Sequence, residues 1–139
     1  MRARCCPSWR IGDDPEQNRG PTLADPLDDA TLDGSWDKAI RRGVRVAHHR
    51  LAIRNFGVPD EAHMIAILDT IGGAIAAGKT VYVHCLGGVG RTGTVVGCYL
   101  ARHGAGGEEA LRQVAALLGD GSPETEEQQR MVRCWVEGR

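Results

Sequence analysis

The stretch Thr80-Val81-Tyr82-Val83-His84-Cys85-Leu86-Gly87-Gly88-Val89-Gly90-Arg91-Thr92-Gly93 passes from a short apolar run into a turn rich in glycine. A run of this length and character reads as a strand buried in the middle of a sheet. A helix over 92–103 begins directly after the turn. Upstream, Val44 to Ile53 alternates in part and reads as a second strand. Asn55-Phe56-Gly57-Val58-Pro59 is a loop. Met64, Leu68, Ile71 and Ile75 then recur at helical spacing, which predicts a helix over 60–77 with Asp60 as N-cap and Gly78 as its stop. Downstream, Leu111, Val114, Ala115 and Leu118 share one face of a helix over 108–118. A last helix over 123–137 has Ser122 as N-cap and Pro123 at its first position. Strand, helix, strand, then helices predict an α/β fold, a central mostly parallel sheet flanked by helices.

The remainder of the chain bounds this reading. Its 139 residues are expected to fold as one domain, with no room among them for a second. Residues 1–34 carry prolines, glycines and acids with few apolar anchors, so they are expected to be irregular or loosely packed, with a short strand around Trp9–Ile11. Residues 35–139 are the regular domain, opening with a short helix over 36–42 capped by Ser35. Hydrophobic residues are 42% and charged residues 25%, with a formal charge of −1. No global field therefore draws the protein to nucleic acid or anionic lipid. No apolar run approaches a membrane span, and the N-terminus lacks a secretory h-region.

The five cysteines lie in no paired C-x2-C arrangement, and adjacent His48 and His49 face opposite sides of a strand. Neither a disulfide framework nor a metal site is expected. A reducing compartment, the cytoplasm, follows.

The turn itself carries chemistry. Gly87, Gly88 and Gly90 let consecutive amides turn inward around an anion. The helix behind adds unpaired N–H groups and its positive dipole end. Arg91, six residues after Cys85, can return across the loop and grip two oxygens of a phosphate. These positive surroundings suit an anionic sulfur nucleophile at Cys85, and Thr92 is placed to donate a hydrogen bond to it. A nucleotide-binding loop would need Gly-Lys-Ser/Thr, which is absent.

The string His84-Cys85 to Arg91-Thr92 matches the pattern HC-x5-R-[ST] and resembles the loop of protein tyrosine and dual-specificity phosphatases, over about residues 44–137. The resemblance implies a phosphatase-like fold with the phosphate loop between a central strand and a helix. It implies a two-step hydrolysis in which Cys85 takes the phosphoryl group and water releases it. Arg91 is then the transition-state clamp, and Leu86, Gly87, Gly88, Val89 and Gly90 supply the remaining donors. His84 would orient and tune the cysteine from behind. No cofactor and no metal are implied; the partner is a phosphorylated protein or aryl phosphate, with neither nucleic acid nor membrane. Sulfur transfer or arsenate reduction also use a cysteine loop but do not call for the Thr92-Gly93 continuation.

The family's proton donor is an aspartate upstream, in patterns resembling D-x-G-x-P. Here that pattern reads Asn55-Phe56-Gly57-Val58-Pro59, and an amide gives up no proton at useful pH. Asp60 is an alternative donor, set against its simpler role as helix cap. Otherwise the chain is a slow enzyme or a catalytically impaired module that binds phosphorylated proteins, or its substrates have good leaving groups that need little acid help. Gln128 shares a helix face with Met131 and Trp135 and points inward. The resemblance gives it the placing of the hydrolytic water, against the plain alternative of a polar helix residue. Glu124 to Glu127 sit near a helix start, where the dipole favours them, and need no function. The uncharged Leu86, Gly87 and Val89 favour aryl phosphates over highly anionic lipid headgroups.

Overall fold

The structure is a computed structural model and describes residues 2–4, 8–11, 19–22, 47–79, 81–85 and 89–136. Among these, the strands are β1 (Arg2–Arg4), β2 (Ser8–Ile11), β3 (Arg19–Thr22), β4 (Ala47–Arg50) and β5 (Val81–His84). They form one sheet in the order β1-β2-β5-β3-β4. β3 pairs in parallel with β4 and β5, whereas β2 is antiparallel to β5 and to β1. Four of the five strands thus point the same way and β2 alone runs against them. The fold is α/β, as the order of elements predicts, and the sheet is mixed, with two parallel and two antiparallel pairings among the described strands. β1 and β3 come from a stretch whose composition offers few apolar anchors, and the sequence does not announce them. The short helix expected over 36–42 lies outside the described residues, as does the boundary near residue 34.

β5 is central. Val81, Val83 and Cys85 are buried on one side of the pleat, and His84 is buried on the other. This double burial explains the nearly unbroken apolar run. Of the expected strand over 44–53, residues 44–46 lie outside the described residues; β4 covers 47–50, and Ile53 beyond it is buried in irregular backbone.

Among the described residues, four helices accompany the sheet: α1 (Glu61–Ala76), α2 (Gly90–Arg102), α3 (Gly107–Leu118) and α4 (Glu126–Arg133). α1 buries Met64, Ile67, Leu68 and Ile71, the i, i+3, i+4, i+7 stripe of an amphipathic helix. Asp60 caps it, its Oδ1 accepting from the His63 amide at 2.7 Å, and Gly78 follows with φ +73°. α1 lies against β3, β5 and α2. α2 is buried continuously from Gly90 to Cys98 and packs on α1, α3 and α4.

The last helix departs from expectation. It starts at Glu126, capped by Thr125 rather than Ser122, and ends at Arg133. Thr125 and Gln128 form a reciprocal capping box, which satisfies two amides that a start at Pro123 would not. Ser122 instead donates from Oγ to the Val89 carbonyl at 2.6 Å, so its hydroxyl serves the turn after β5.

Candidate active site

β5 delivers Cys85 to the end of the central strand, and α2 starts at Gly90, so Arg91 sits in the first turn of a buried helix. Cys85 is 2% exposed and Arg91 3%. Thr92 Oγ1 donates to Cys85 Sγ at 3.0 Å, the contact the sequence anticipates. Arg91 donates from Nη1 to the Ile53 carbonyl at 3.3 Å. That carbonyl belongs to the segment after β4, and the bond ties the buried guanidinium to it. Nothing in the sequence pattern around Ile53 marks it, because any residue's carbonyl can play this part.

A pocket of about 200 Å³ opens over these groups. Cys85, Gly90 and Arg91 line it from the turn and α2. Asn55 and Phe56 line it from the segment before α1, Glu124 from the turn before α4 and Gln128 from the first turn of α4. The tertiary structure thus brings together Cys85, Arg91, Asn55 and Gln128, all singled out in the sequence, with Thr92 behind the sulfur. Leu86, Gly87 and Gly88 lie outside the described residues. Val89 stands just before α2, its carbonyl bonded to Ser122.

Asp60 is not among the lining residues; its carboxylate caps α1, the simpler of the two roles considered for it. Gln128 is fully buried. Its Oε1 accepts from the amides of Glu124 and Thr125, each at 3.1 Å, and its Nε2 donates to the Gly57 carbonyl at 3.1 Å. One amide side chain therefore ties the Asn55–Gly57 segment to the start of α4. Thr125 adds a second tie, from its hydroxyl to the Phe56 carbonyl at 3.4 Å. Phe56 has φ +59° and is 55% exposed. A bulky residue in the left-handed region costs of order 1–2 kcal/mol, and these two ties hold the backbone there.

Glu124 is the residue sequence reasoning passed over. Read as one of a run of helix-start acids, it lies instead before the helix and in the pocket. A Cβ on Gly90 would stand 2.9 Å from Glu124 Oε2 and 2.9 Å from Gln128 Oε1, so the carboxylate reaches across the first residue of α2. The placement follows from the turn at 122–125. A Cβ on Gly93 would meet Ser122 Oγ at 2.2 Å, and only a glycine admits this approach. No group of residues suited to hold a metal ion occurs among the described residues.

Residues 26–134 match the family described as PTP-SAK, Swiss Army Knife protein, DSP-PTPase phosphatase domain. An uncharacterized protein of Methanocaldococcus jannaschii is 30% identical over 104 residues, 75% of this chain and 69% of that protein. The dual specificity protein phosphatase CDC14B of Mus musculus is 41% identical over 59 residues, which are 40% of this chain and 11% of that protein. The crystal structure of a mutant form of Tk-PTP superposes with a TM-score of 0.70 at 30% identity, covering 85% of this chain and 75% of that one.

Proposed function

Because the chain belongs to the DSP-PTPase phosphatase domain family, we propose that it is a phosphate-monoester hydrolase of the protein tyrosine or dual-specificity type, working through a phosphocysteine at Cys85. The observation that carries this reading is the Thr92 hydroxyl donating to the Cys85 sulfur beside a buried Arg91, at the floor of a pocket sized for a phosphate. In the first step the Cys85 sulfur attacks phosphorus and the ester oxygen departs. Arg91 and the amides of the turn hold the oxygens as charge develops on them. In the second step water attacks the phosphocysteine and the sulfur is released, with Thr92 stabilising it as the leaving group. Gln128 retains one Nε2 hydrogen beyond its bond to Gly57, enough to orient that water.

The proposed substrate is a phosphorylated protein or aryl phosphate. Phe56 presents an exposed ring beside the pocket, which favours an aryl group over a short alkyl one. A cytoplasmic location is part of the proposal, since the chemistry needs a free cysteine; no helix among the described residues is long and apolar enough to cross a membrane.

One observation favours a second reading. Asn55 lines the pocket at the position where the D-x-G-x-P resemblance would place an acid, so a module that binds phosphorylated proteins without turning them over is the alternative. Hydrolysis of para-nitrophenyl phosphate by the chain and by Cys85→Ser separates the two. Turnover abolished by Cys85→Ser is expected. Tight binding of a phosphotyrosine peptide with no turnover by either protein would leave the binding module.

A further inference from the structure

We infer that Glu124 is the proton donor and acceptor of this site, supplying from the turn before α4 what Asn55 cannot supply from its own loop. The inference rests on the hydrolase reading above and names a residue that reading leaves open. Among the described residues lining the pocket, Glu124 is the only carboxyl group. Asn55 lies in the same pocket but has no proton to give, and Asp60 is spent on the α1 cap.

Glu124 is held in place by a built turn. Its amide donates to Gln128 Oε1. Two residues earlier, buried Ser122 is bonded to the Val89 carbonyl immediately before Gly90, and Gly93 leaves room for that hydroxyl. The turn is thereby anchored to the same segment that carries Arg91. The carboxylate lies over Gly90, where a side chain of any other residue would displace it. Cys85 and Arg91 are the titratable and charged groups that share the pocket with it; Glu126 and Glu127 follow on its own side, in the first turn of α4.

The chemistry balances. As Cys85 sulfur forms its bond to phosphorus, the bond from phosphorus to the leaving oxygen breaks. That oxygen takes the proton of the Glu124 carboxyl and departs as an alcohol or phenol. Water then attacks the phosphocysteine, the sulfur–phosphorus bond breaks, and the proton shed by water returns to the Glu124 carboxylate. Phosphate leaves and the carboxyl is restored.

The test compares para-nitrophenyl phosphate, whose leaving group needs no proton, with phosphotyrosine, whose leaving group does. The proteins are the full chain and its Glu124→Gln, Asn55→Asp, Asn55→Asp/Glu124→Gln and Cys85→Ser variants. Glu124 is exposed, so the glutamine variant is expected to melt with the wild type. Glu124→Gln is expected to lower kcat/KM on phosphotyrosine by roughly 10²–10⁴-fold and far less on para-nitrophenyl phosphate. The limb on which activity falls with rising pH should flatten, and Asn55→Asp should restore phosphotyrosine hydrolysis in the glutamine background. Equal losses on both substrates, or no loss on phosphotyrosine, would overturn the inference while wild-type turnover abolished by Cys85→Ser left the hydrolase standing. Absence of turnover by wild type and Asn55→Asp alike would overturn both.

Discussion

Gln128 shows how much a single buried side chain can hold at once. Its amide bonds three backbone groups from two segments far apart in the chain, and it is fully buried. Replacement by Leu keeps the bulk but strands those groups. Gln128→Leu is expected to lose about 1–3 kcal/mol, read by chemical denaturation, and to lower turnover further by freeing the Asn55–Gly57 segment. Cys98 makes the opposite case. Burial pushes its thiol well up from the ordinary range, so it stays protonated in the folded protein. Such a group adds nothing to pH sensitivity at neutrality. Stability is lost as pH rises past about 8.5, where the unfolded thiol ionises and the folded one does not. Cys98→Val should flatten that alkaline decline. In the native protein at pH 7, alkylation is expected to spare Cys98 and to reach the exposed Cys134, as peptide mapping would show.

At the scale of the elements, the site depends on how closely α4 approaches α2. A Cβ on Gly97 would stand 2.6 Å from both γ-methyls of Val132, and Val132 is fully buried with a stiff side chain. Gly97→Ala is therefore expected to cost about 1–3 kcal/mol by overpacking. Pairing it with Val132→Ala should recover part of that loss in a double-mutant cycle. Gly73 in α1 is exposed and has nothing within 4 Å of its missing Cβ. Gly73→Ala should stabilise the protein by roughly 0.5–1 kcal/mol, and thermal melting would show the two glycines shifting in opposite directions. Both residues are glycines within helices; the difference comes from whether a second helix lies against them.

At the scale of the molecule, the strand that leads into Cys85 is flanked on one side by β2 and on the other by β3. Both come from the first 22 residues, β2 along its whole length and β3 at Thr22 against His84. Removing residues 1–22 would strip both neighbours from a buried apolar strand and leave its edges open. The truncated chain is expected to aggregate or to lose its cooperative melt, and to lose phosphate-ester turnover with it. A truncation that melted as the full chain does would show the sheet to be independent of this segment.

Local chemistry determined a large part of this protein. The apolar run at 81–84 and the helix that begins just before Arg91 are short-range features, so strand and helix could be read directly, with Thr92 behind the sulfur. The α1 stripe and its Asp60 cap were legible for the same reason, since a 3.6-residue period and a cap act within a few positions. Only the tertiary structure decided the rest. β1 and β3 carry no local signal of their own. The start of α4 moved from Pro123 to Glu126 because Ser122 bonds Val89 across the fold instead of capping its own helix. Glu124 became a pocket residue through that same displacement. Pairing Asn55–Gly57 with Gln128 spans a sequence separation of about seventy residues, and no periodicity extends over such a distance. Short-range order is set by backbone and neighbour, whereas the meeting of distant segments depends on which surfaces the whole chain can bury together.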